Sequence, residues 1–492
     1  MIILLFICLS SLLLSIPLII LYKLWLIPFR IQLELESQGI KGPPYKFIYG
    51  NTKEIIQMKK QISSTPMDLS HDIFPRLQPH LYSWSKIYGD VFVFWMGAKP
   101  FVVVMEDRMI KEILSNKEGK CTKLKIEGYL QKLVGDGIVV AEGEKWSKLR
   151  RLANHAFHGD CLKDMVPEMI SSARTMVDRW MNYEGKEIEV CEQFRLLTSE
   201  VISRTAFGSS YLEGIMIFET LTKLKLIQTE DDIEADRIEK QLRVSILEIV
   251  KKREAEASKG QVNDFGSDFL GSLLKVHHDM DPKNRVSVDE IIDECKTFYF
   301  GGQETTYSLL CWSILLLGIH TDWQEEARKE LIQLFGQENP NSEGIARLKT
   351  VTMIIYETLR LYSPVTTITR RTERKTKLGK YQLPANVNLL ILPQALHRNP
   401  ETWGQDAHLF KPERFSEGLA KSTNGNSVAF LPFGSGPRMC VGMNFAFNEA
   451  KIALSMILQR YKFTISPNYV HSPNIVLTMQ PQHGVQILLQ RL

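Results

Sequence analysis

Phe433-Gly-Ser-Gly436-Pro437-Arg438-Met-Cys440-Val-Gly442 sets one thiol among three glycines and a guanidinium. A lone cysteine is more often a small core hydrophobe than a ligand. Here Gly434, Gly436 and Gly442 free the backbone to bend about the sulfur and to lie against a flat group. Arg438 offers a cation to an anionic partner. The helical pattern from Asn444 to about Gln459 places the sulfur before a helix N-terminus, which favours a thiolate. Glu304-Thr305 follows Gly301-Gly302 inside another helical pattern. Mid-helix glycines cost about 1 kcal/mol each relative to alanine, so a gain elsewhere must offset them. Glu357-Thr-Leu-Arg360 puts a carboxylate and a guanidinium three apart on one helix face, a common surface pair in isolation. Pro412-Glu413-Arg414-Phe415 adds another arginine. Trp146-x-x-x-Arg150 lies on a basic helix, where a core ring and a solvated cation are the plain reading.

Together these segments resemble the cytochrome P-450 family. Residues 433–442 match its pattern FxxGxRxCxG at every defined position, and the similarity runs from Pro43-Pro44 to the C-terminus. The resemblance implies a haem b cofactor with the Cys440 thiolate as axial ligand to the iron, a sulfur that favours O–O cleavage. Phe433, Gly436 and Gly442 belong to the same cofactor-binding segment. Trp146, Arg150, Arg370 and Arg438 are implied as propionate partners, arginine being suited to fork-like carboxylate recognition. Arg371, next to Arg370, competes for that role. Glu357, Arg360 and Arg414 are implied as a buried network that locks the haem-binding core, a structural role. Glu304 and Thr305 match the acid–alcohol pair that passes protons to iron-bound oxygen through water. The family has alanine where Gly301 stands, a change that loosens the groove and leaves the relay in place. Phe300, Gly301, Val365, Thr366, Thr367, Ile368 and Met479 fall at substrate-pocket positions. Core packing accounts for them equally well, and their apolar majority suits a hydrophobic substrate.

These residues need helices to carry them. Ser287-x-x-Glu290 is a capping box opening a run to about Gly318; at ~1.5 Å per residue that helix spans roughly 45–50 Å. Thr321-x-x-Gln324 predicts a cap for the next helix, Gly336 its end, and Glu325–Lys329 an i,i+4 pair on its exposed face. Strands are expected at Val91–Met96, Phe101–Met105 and Val387–Leu392. The expected fold is mainly α with a minor β-sheet region, the cytochrome P-450 fold behind an N-terminal transmembrane helix. From Ile2 to Tyr22 no residue is charged, and about 20 apolar helical residues cross a bilayer core. Lys23 and Arg30 follow before any acidic residue, which by the positive-inside rule leaves the rest of the chain in the cytosol. The expected organisation is a signal anchor over 1–22, a basic and Pro-rich hinge over 23–45, and one catalytic domain over 46–492. The corresponding location is the endoplasmic reticulum membrane, single-pass, with the catalytic domain on the cytosolic face.

Of 492 residues 44% are hydrophobic, enough for a sizeable core. The 60 basic and 56 acidic residues leave a net charge of +4, and no long basic run carries interleaved aromatics, so no nucleic-acid partner is expected. The seven cysteines show no CxxC and no regular spacing, against a disulfide framework or zinc site. His71-Asp-Ile-Phe-Pro75, Phe298–Thr306 and His397–Gly404 resemble a plant clan of the family that oxidises terpenoids and growth hormones. The implied partners are a hydrophobic small-molecule substrate and NADPH–cytochrome P-450 reductase. Lys145, Lys148 and Arg151 either form a docking face for that acidic flavoprotein or are simply a solvated helix face. One stretch departs from the pattern. Where relatives carry a long loop roofing the substrate channel, this chain passes from a helix ending near Ile227 to another beginning at Asp231. The competing readings are a haem-thiolate isomerase or dehydratase, whose members tend to lose the acid–alcohol pair kept here, and a haem-binding protein without turnover.

Overall fold

The computed structural model describes residues 15–63, 67–116, 119–226, 232–260 and 263–492. Helices dominate, with a few small sheets. The chain forms two compact units. The first comprises Met1–Leu124, Thr366–Ala407 and Asn426–Arg438; the second comprises Lys125–Val365, His408–Gly425 and Met439–Leu492.

In the first unit, five strands form one sheet: β1 (Val91–Met96), β2 (Lys99–Val104), β3 (Cys121–Thr122), β4 (Ile368–Thr372) and β5 (Asn388–Ile391). Their order is β1-β2-β5-β4-β3. The three strands expected from sequence are all present, each within two residues of its expected limits. Alternation sends their side chains to two faces, and both faces are buried. Phe92, Phe94, Val103 and Leu390 pack with Ile55, Leu81 and Trp84 on one side. Val93, Trp95, Val102, Val104 and Leu389 pack with Met109, Ile110, Ile113 and Leu114 on the other. Burial on both faces explains the near-continuous β-branched and aromatic runs of β1 and β2.

Ser15–Glu36 is a helical stretch long and apolar enough to cross a membrane, with a π-helical turn at Tyr22–Leu26. The remainder of the expected 1–22 anchor, residues 1–14, lies outside the described residues. The helix passes through Lys23 and Arg30 without a break. Leu35, Ile40 and Tyr45 enter the same buried cluster as Val93 and Trp95. The Tyr45 hydroxyl bonds the Leu24 carbonyl, and Val93 donates to the Lys41 carbonyl at 3.0 Å. Residues 23–45 are helical to Glu36 and packed beyond it, where their apolar positions find a place on the sheet.

The second unit is built around helices. Those used below are α1 (Gly143–Ala156), α2 (Val190–Phe207), α3 (Tyr211–Leu226), α4 (Val288–Ile319), α5 (Thr350–Leu361) and α6 (Met443–Leu458), with a hairpin of β6 (Pro473–Val476) and β7 (Thr478–Pro481). α4 begins with the expected capping box, Ser287 and Glu290 each bonding the other's backbone. It is buried nearly all round, as a helix apolar on every side must be. The next helix, Thr321–Phe335, has His320 as its N-cap and no side-chain cap bond; Gly336 ends it with φ of +56°. Thr321-x-x-Gln324 is thus not a capping box. Gln324 is buried and donates to the Leu317 and Phe463 carbonyls, a tertiary demand that outweighs the local one. The Glu325–Lys329 pair is also absent: Lys329 pairs with Glu326 and Glu325 with Arg328. α3 ends at Leu226 and the following helix starts at Asp232, while the intervening 227–231, including the short connection noted above, lie outside the described residues.

Candidate active site

Gly442 is the N-cap of α6, and Cys440 lies two residues upstream. The Gly442 N–H bonds the Cys440 sulfur. Burial pushes the Cys440 thiol up; that N–H and the Arg150 guanidinium pull it back toward the thiolate. Among the described cysteines Cys440 alone is exposed, while Cys121, Cys191, Cys295 and Cys311 are buried. Arg150, on α1, donates to the Met439 carbonyl at 2.5 Å, one residue from the sulfur. Trp146 sits one helical turn earlier on the same face of α1 and is half-buried, as is Arg150.

The 433–442 segment divides between the units after Arg438. In the first unit, Gly436 has φ of +73°, and a side chain there would meet the Leu114 carbonyl oxygen at 2.4 Å. Only glycine fits that close approach. β4 pairs with β5 so that Arg370 stands opposite Leu389, on the sheet face that Leu114 also covers. Arg370 is buried and donates to the Thr369 carbonyl, whereas Arg371 points to the Asn386 side chain at the periphery. Register and burial therefore favour Arg370 as the inward arginine.

α4 stays α-helical through Gly301 and Gly302, and the two glycines have different reasons to be there. A side chain at Gly302 would lie 2.7 Å from Ile202 of α2, whereas at Gly301 it would meet nothing within 4 Å. Gly302 is a packing contact; Gly301 borders open space. The Thr305 hydroxyl donates to the Gly301 carbonyl at 2.7 Å. Glu304 turns elsewhere. Its two carboxylate oxygens accept from Lys225 Nζ at 2.7 and 2.8 Å, and Thr478 Oγ1 adds a bond of 3.0 Å. Lys225 and Thr478 were not singled out by sequence. Thr478 and Gln480 alternate on one face of a β7-like pattern, and Lys225 interrupts the apolar rows of α3, but neither pattern names a partner.

Glu357 and Arg360 are fully buried on α5. Arg360 Nε and an Nη each donate to Glu357 at 2.7 Å, and Arg360 also reaches the Leu409 carbonyl. The Lys411 N–H donates to Glu357 at 2.9 Å, and Arg414 Nε stands 3.5 Å away. The three residues grouped from sequence do meet, together with the 409–411 backbone. The pocket candidates are divided. Phe300 and Gly301 lie partly exposed on α4, Val365 is exposed, and Met479 is fully buried, its carbonyl accepting from Ser308 and Trp312. Thr366, Thr367 and Ile368 lead into β4 of the first unit, Thr366 buried and the other two half-buried. Of the basic α1 residues, Lys145 pairs with Asp136 and Lys148 bonds the Arg285 carbonyl, while Arg151 is exposed. Two buried acids also escaped notice. Burial raises Glu294 to about 8 against the Ile138 N–H that it accepts, and raises Glu449 far above the carboxylate range.

A cysteine two residues before the N-cap of α6 and an acid–alcohol step in the long buried α4 are the arrangement a haem-thiolate enzyme uses. The Cytochrome P450 family profile matches residues 75–225 and 213–488, and the chain belongs to that family. The chain is a plant-type cytochrome P450 monooxygenase that binds haem. It is 55% identical over 488 residues to "Cytochrome P450 CYP749A22" of Panax ginseng, covering 95% of this chain and 93% of the relative. It is 40% identical over 497 residues to "11-oxo-beta-amyrin 30-oxidase" of Glycyrrhiza uralensis (95% and 94%) and 39% over 494 to "Secologanin synthase 2" of Catharanthus roseus (95% and 93%). The two stretches matching the family profile overlap over 213–225, in α3, just ahead of the short 227–231 connection. The ginseng alignment of 488 positions also exceeds 95% of 492, so the relative has positions at which this chain has no residue.

Proposed function

We propose that this chain hydroxylates a hydrophobic, terpenoid-like or hormone-like small molecule with O2 and electrons from NADPH, delivered by NADPH–cytochrome P450 reductase. The carrying observation is Cys440: reachable, bonded by the Gly442 N–H and beside Arg150. With the open space at Gly301, this donor set fits haem. Cys440 would hold the iron, and Trp146, Arg150, Arg370 and Arg438 would hold the propionates, with Phe433, Gly436 and Gly442 shaping the loop around the sulfur. Haem bound there supplies oxygen binding and its reductive activation. Thr305 and Glu304 hold and move the protons which that chemistry consumes. Glu357, Arg360 and Arg414 keep the surrounding core in place. The triterpene oxidase and secologanin synthase names among the relatives support a terpenoid substrate. Phe300, Gly301, Val365, Thr366, Thr367, Ile368 and Met479 are the first residues to vary in a search for its contacts.

The apolar 15–36 helix supports anchoring in the endoplasmic reticulum membrane, single-pass, with residues 46–492 catalytic on the cytosolic face. The test is a reduced, CO-treated spectrum followed by substrate-dependent NADPH consumption with reductase across a terpenoid and hormone panel. A thiolate–CO band with product formation is expected. An intact band without turnover on any compound would refute the monooxygenase reading and leave a haem-binding protein.

A further inference from the structure

The helix Phe269–His277 ends in two adjacent imidazoles that the active site does not use. Neighbours in a regular helix diverge by about 100°, so two such rings would ordinarily point apart. Here the helix stops between them: His278 is its C-cap, with φ of −92° and ψ of 11°. The rings come to 4.9 Å between centroids. Glu254, near the end of the helix Asp232–Ser258, completes the group. Among the described residues, Glu254, His277 and His278 each place one ligand atom within 4.8 Å of the other two.

Both rings are oriented by neighbours outside the group. His277 Nδ1 donates to the Val286 carbonyl at 2.8 Å. A carbonyl on one nitrogen fixes the tautomer and leaves the lone pair on the other, as in rings that ligate metals. His278 stacks on Phe265, 5.1 Å between centroids and 6° from parallel. Phe265 does so with φ of +66°, a conformation that bulky residues rarely adopt. His278 Nε2 donates to Glu254 Oε1 at 3.0 Å. Donors of a tetrahedral zinc ion, ~2.0–2.1 Å from the metal, stand about 3.4 Å apart, so this pair needs only a small opening. Glu254 and His278 are 34% and 48% exposed, which leaves their side chains room for that adjustment. An ordinary ion pair needs only these two residues. The second imidazole adds nothing to it and, when protonated, opposes it. Both histidines also line a surface cleft of about 470 Å³, together with Arg285 and Glu290.

We propose that Glu254, His277 and His278 bind one zinc-class divalent cation through two imidazole nitrogens and one carboxylate oxygen, its fourth position open to water from the cleft. The cation replaces the proton between His278 and Glu254, which leaves to solvent. Two nitrogen donors favour Zn2+ over Mg2+ and Ca2+, which take oxygen ligands. Bound there, the metal ties the ends of two helices together, a role independent of the haem chemistry.

The test titrates Zn2+ alone, followed by calorimetry, into full-length, haem-loaded protein first stripped of loose metal with a chelator and desalted. Mg2+ is the comparison. One equivalent of Zn2+ with micromolar affinity is expected, and no such binding of Mg2+. His277→Ala, His278→Ala and Glu254→Gln should each weaken that equivalent by about tenfold or more. His408→Ala removes an exposed histidine outside the group and should leave it unchanged. Should an alanine variant fail to fold, Glu254→Gln, which keeps the side chain's shape, decides alone. The zinc X-ray absorption edge then reads the donors without interference from iron. Nitrogen and oxygen at ~2.0–2.1 Å with imidazole scattering are expected, whereas sulfur at ~2.3 Å would put the metal on a cysteine and overturn the assignment. Lack of a micromolar equivalent, or affinity left unchanged by any one of the three substitutions, overturns it as well.

Discussion

Replacing Arg360 by methionine removes one side of the fully buried pair on α5. Glu357 would lose two bonds of 2.7 Å and keep only the Lys411 N–H at 2.9 Å and Arg414 at 3.5 Å. Removing one partner of a buried pair costs about 3–5 kcal/mol, because the other charge stays in low dielectric. The Leu409 carbonyl loses its arginine donor as well, roughly another 1 kcal/mol. Arg414 is 14% exposed and offsets part of this, so the expected net loss is about 4 kcal/mol. Against a typical total of about 5–15 kcal/mol, that is enough to lower the folded, haem-loaded fraction sharply. The assay is the amount of CO-competent haem per unit of expressed protein, together with the thermal midpoint of whatever loads. Arg360→Met/Glu357→Leu should recover much of the loss, since neither charge is then stranded. An Arg360→Met enzyme within about 1 kcal/mol of the parent would refute the claim that this network is a charge-compensated lock.

Cys440→Ser should abolish the thiolate–CO band while leaving the helical circular dichroism near that of the parent; retention of the band would remove Cys440 from the iron. Gly301→Ala should be neutral or stabilising by up to about 1 kcal/mol, because the new methyl meets nothing, whereas Gly302→Ala should cost about 1–3 kcal/mol against Ile202; denaturant midpoints of the two variants decide it. Glu294 has its folded carboxyl raised from about 4.5 to about 8, so the stability it contributes is fully present below about pH 4.5 and is lost as pH rises toward 8. Glu294→Gln keeps an acceptor for Ile138 and should flatten that decline. Its stability advantage over the parent should grow by a few kcal/mol between about pH 5 and about pH 8, and equal slopes for the two proteins would count against it.

Local chemistry was legible in the residues themselves. The Ser287 capping box, the strand runs and the sulfur before α6 depend on near neighbours, and all appear where expected. Glu357, Arg360 and Arg414 meet because α5 and the 409–414 backbone converge, a meeting that family resemblance supplied and spacing alone did not. What escaped the sequence is the choice of distant partners. Gln324 has the right spacing for a cap yet serves carbonyls of two other segments, because a buried amide satisfies whichever orphan group lies nearest. Lys225 and Thr478 are separated from Glu304 by scores of residues, so no periodicity joins them. Arg371 stood beside Arg370 as a competitor until strand register assigned each a face.

The packed stretch between the apolar helix and β1 has a practical side. With Trp25 against Phe29, Tyr45 and Phe47, and Leu35 inside the sheet's core, the helix leaves the first unit as a stiff joint and not as a tether. A membrane gripping residues before Tyr22 would thereby set the tilt of the whole sheet, as a handle sets the angle of a blade. A shortened, water-soluble version of the chain should accordingly begin ahead of Leu24 and not at Pro43, since the later cut would pull Leu35 and Ile40 out of the core they help to fill.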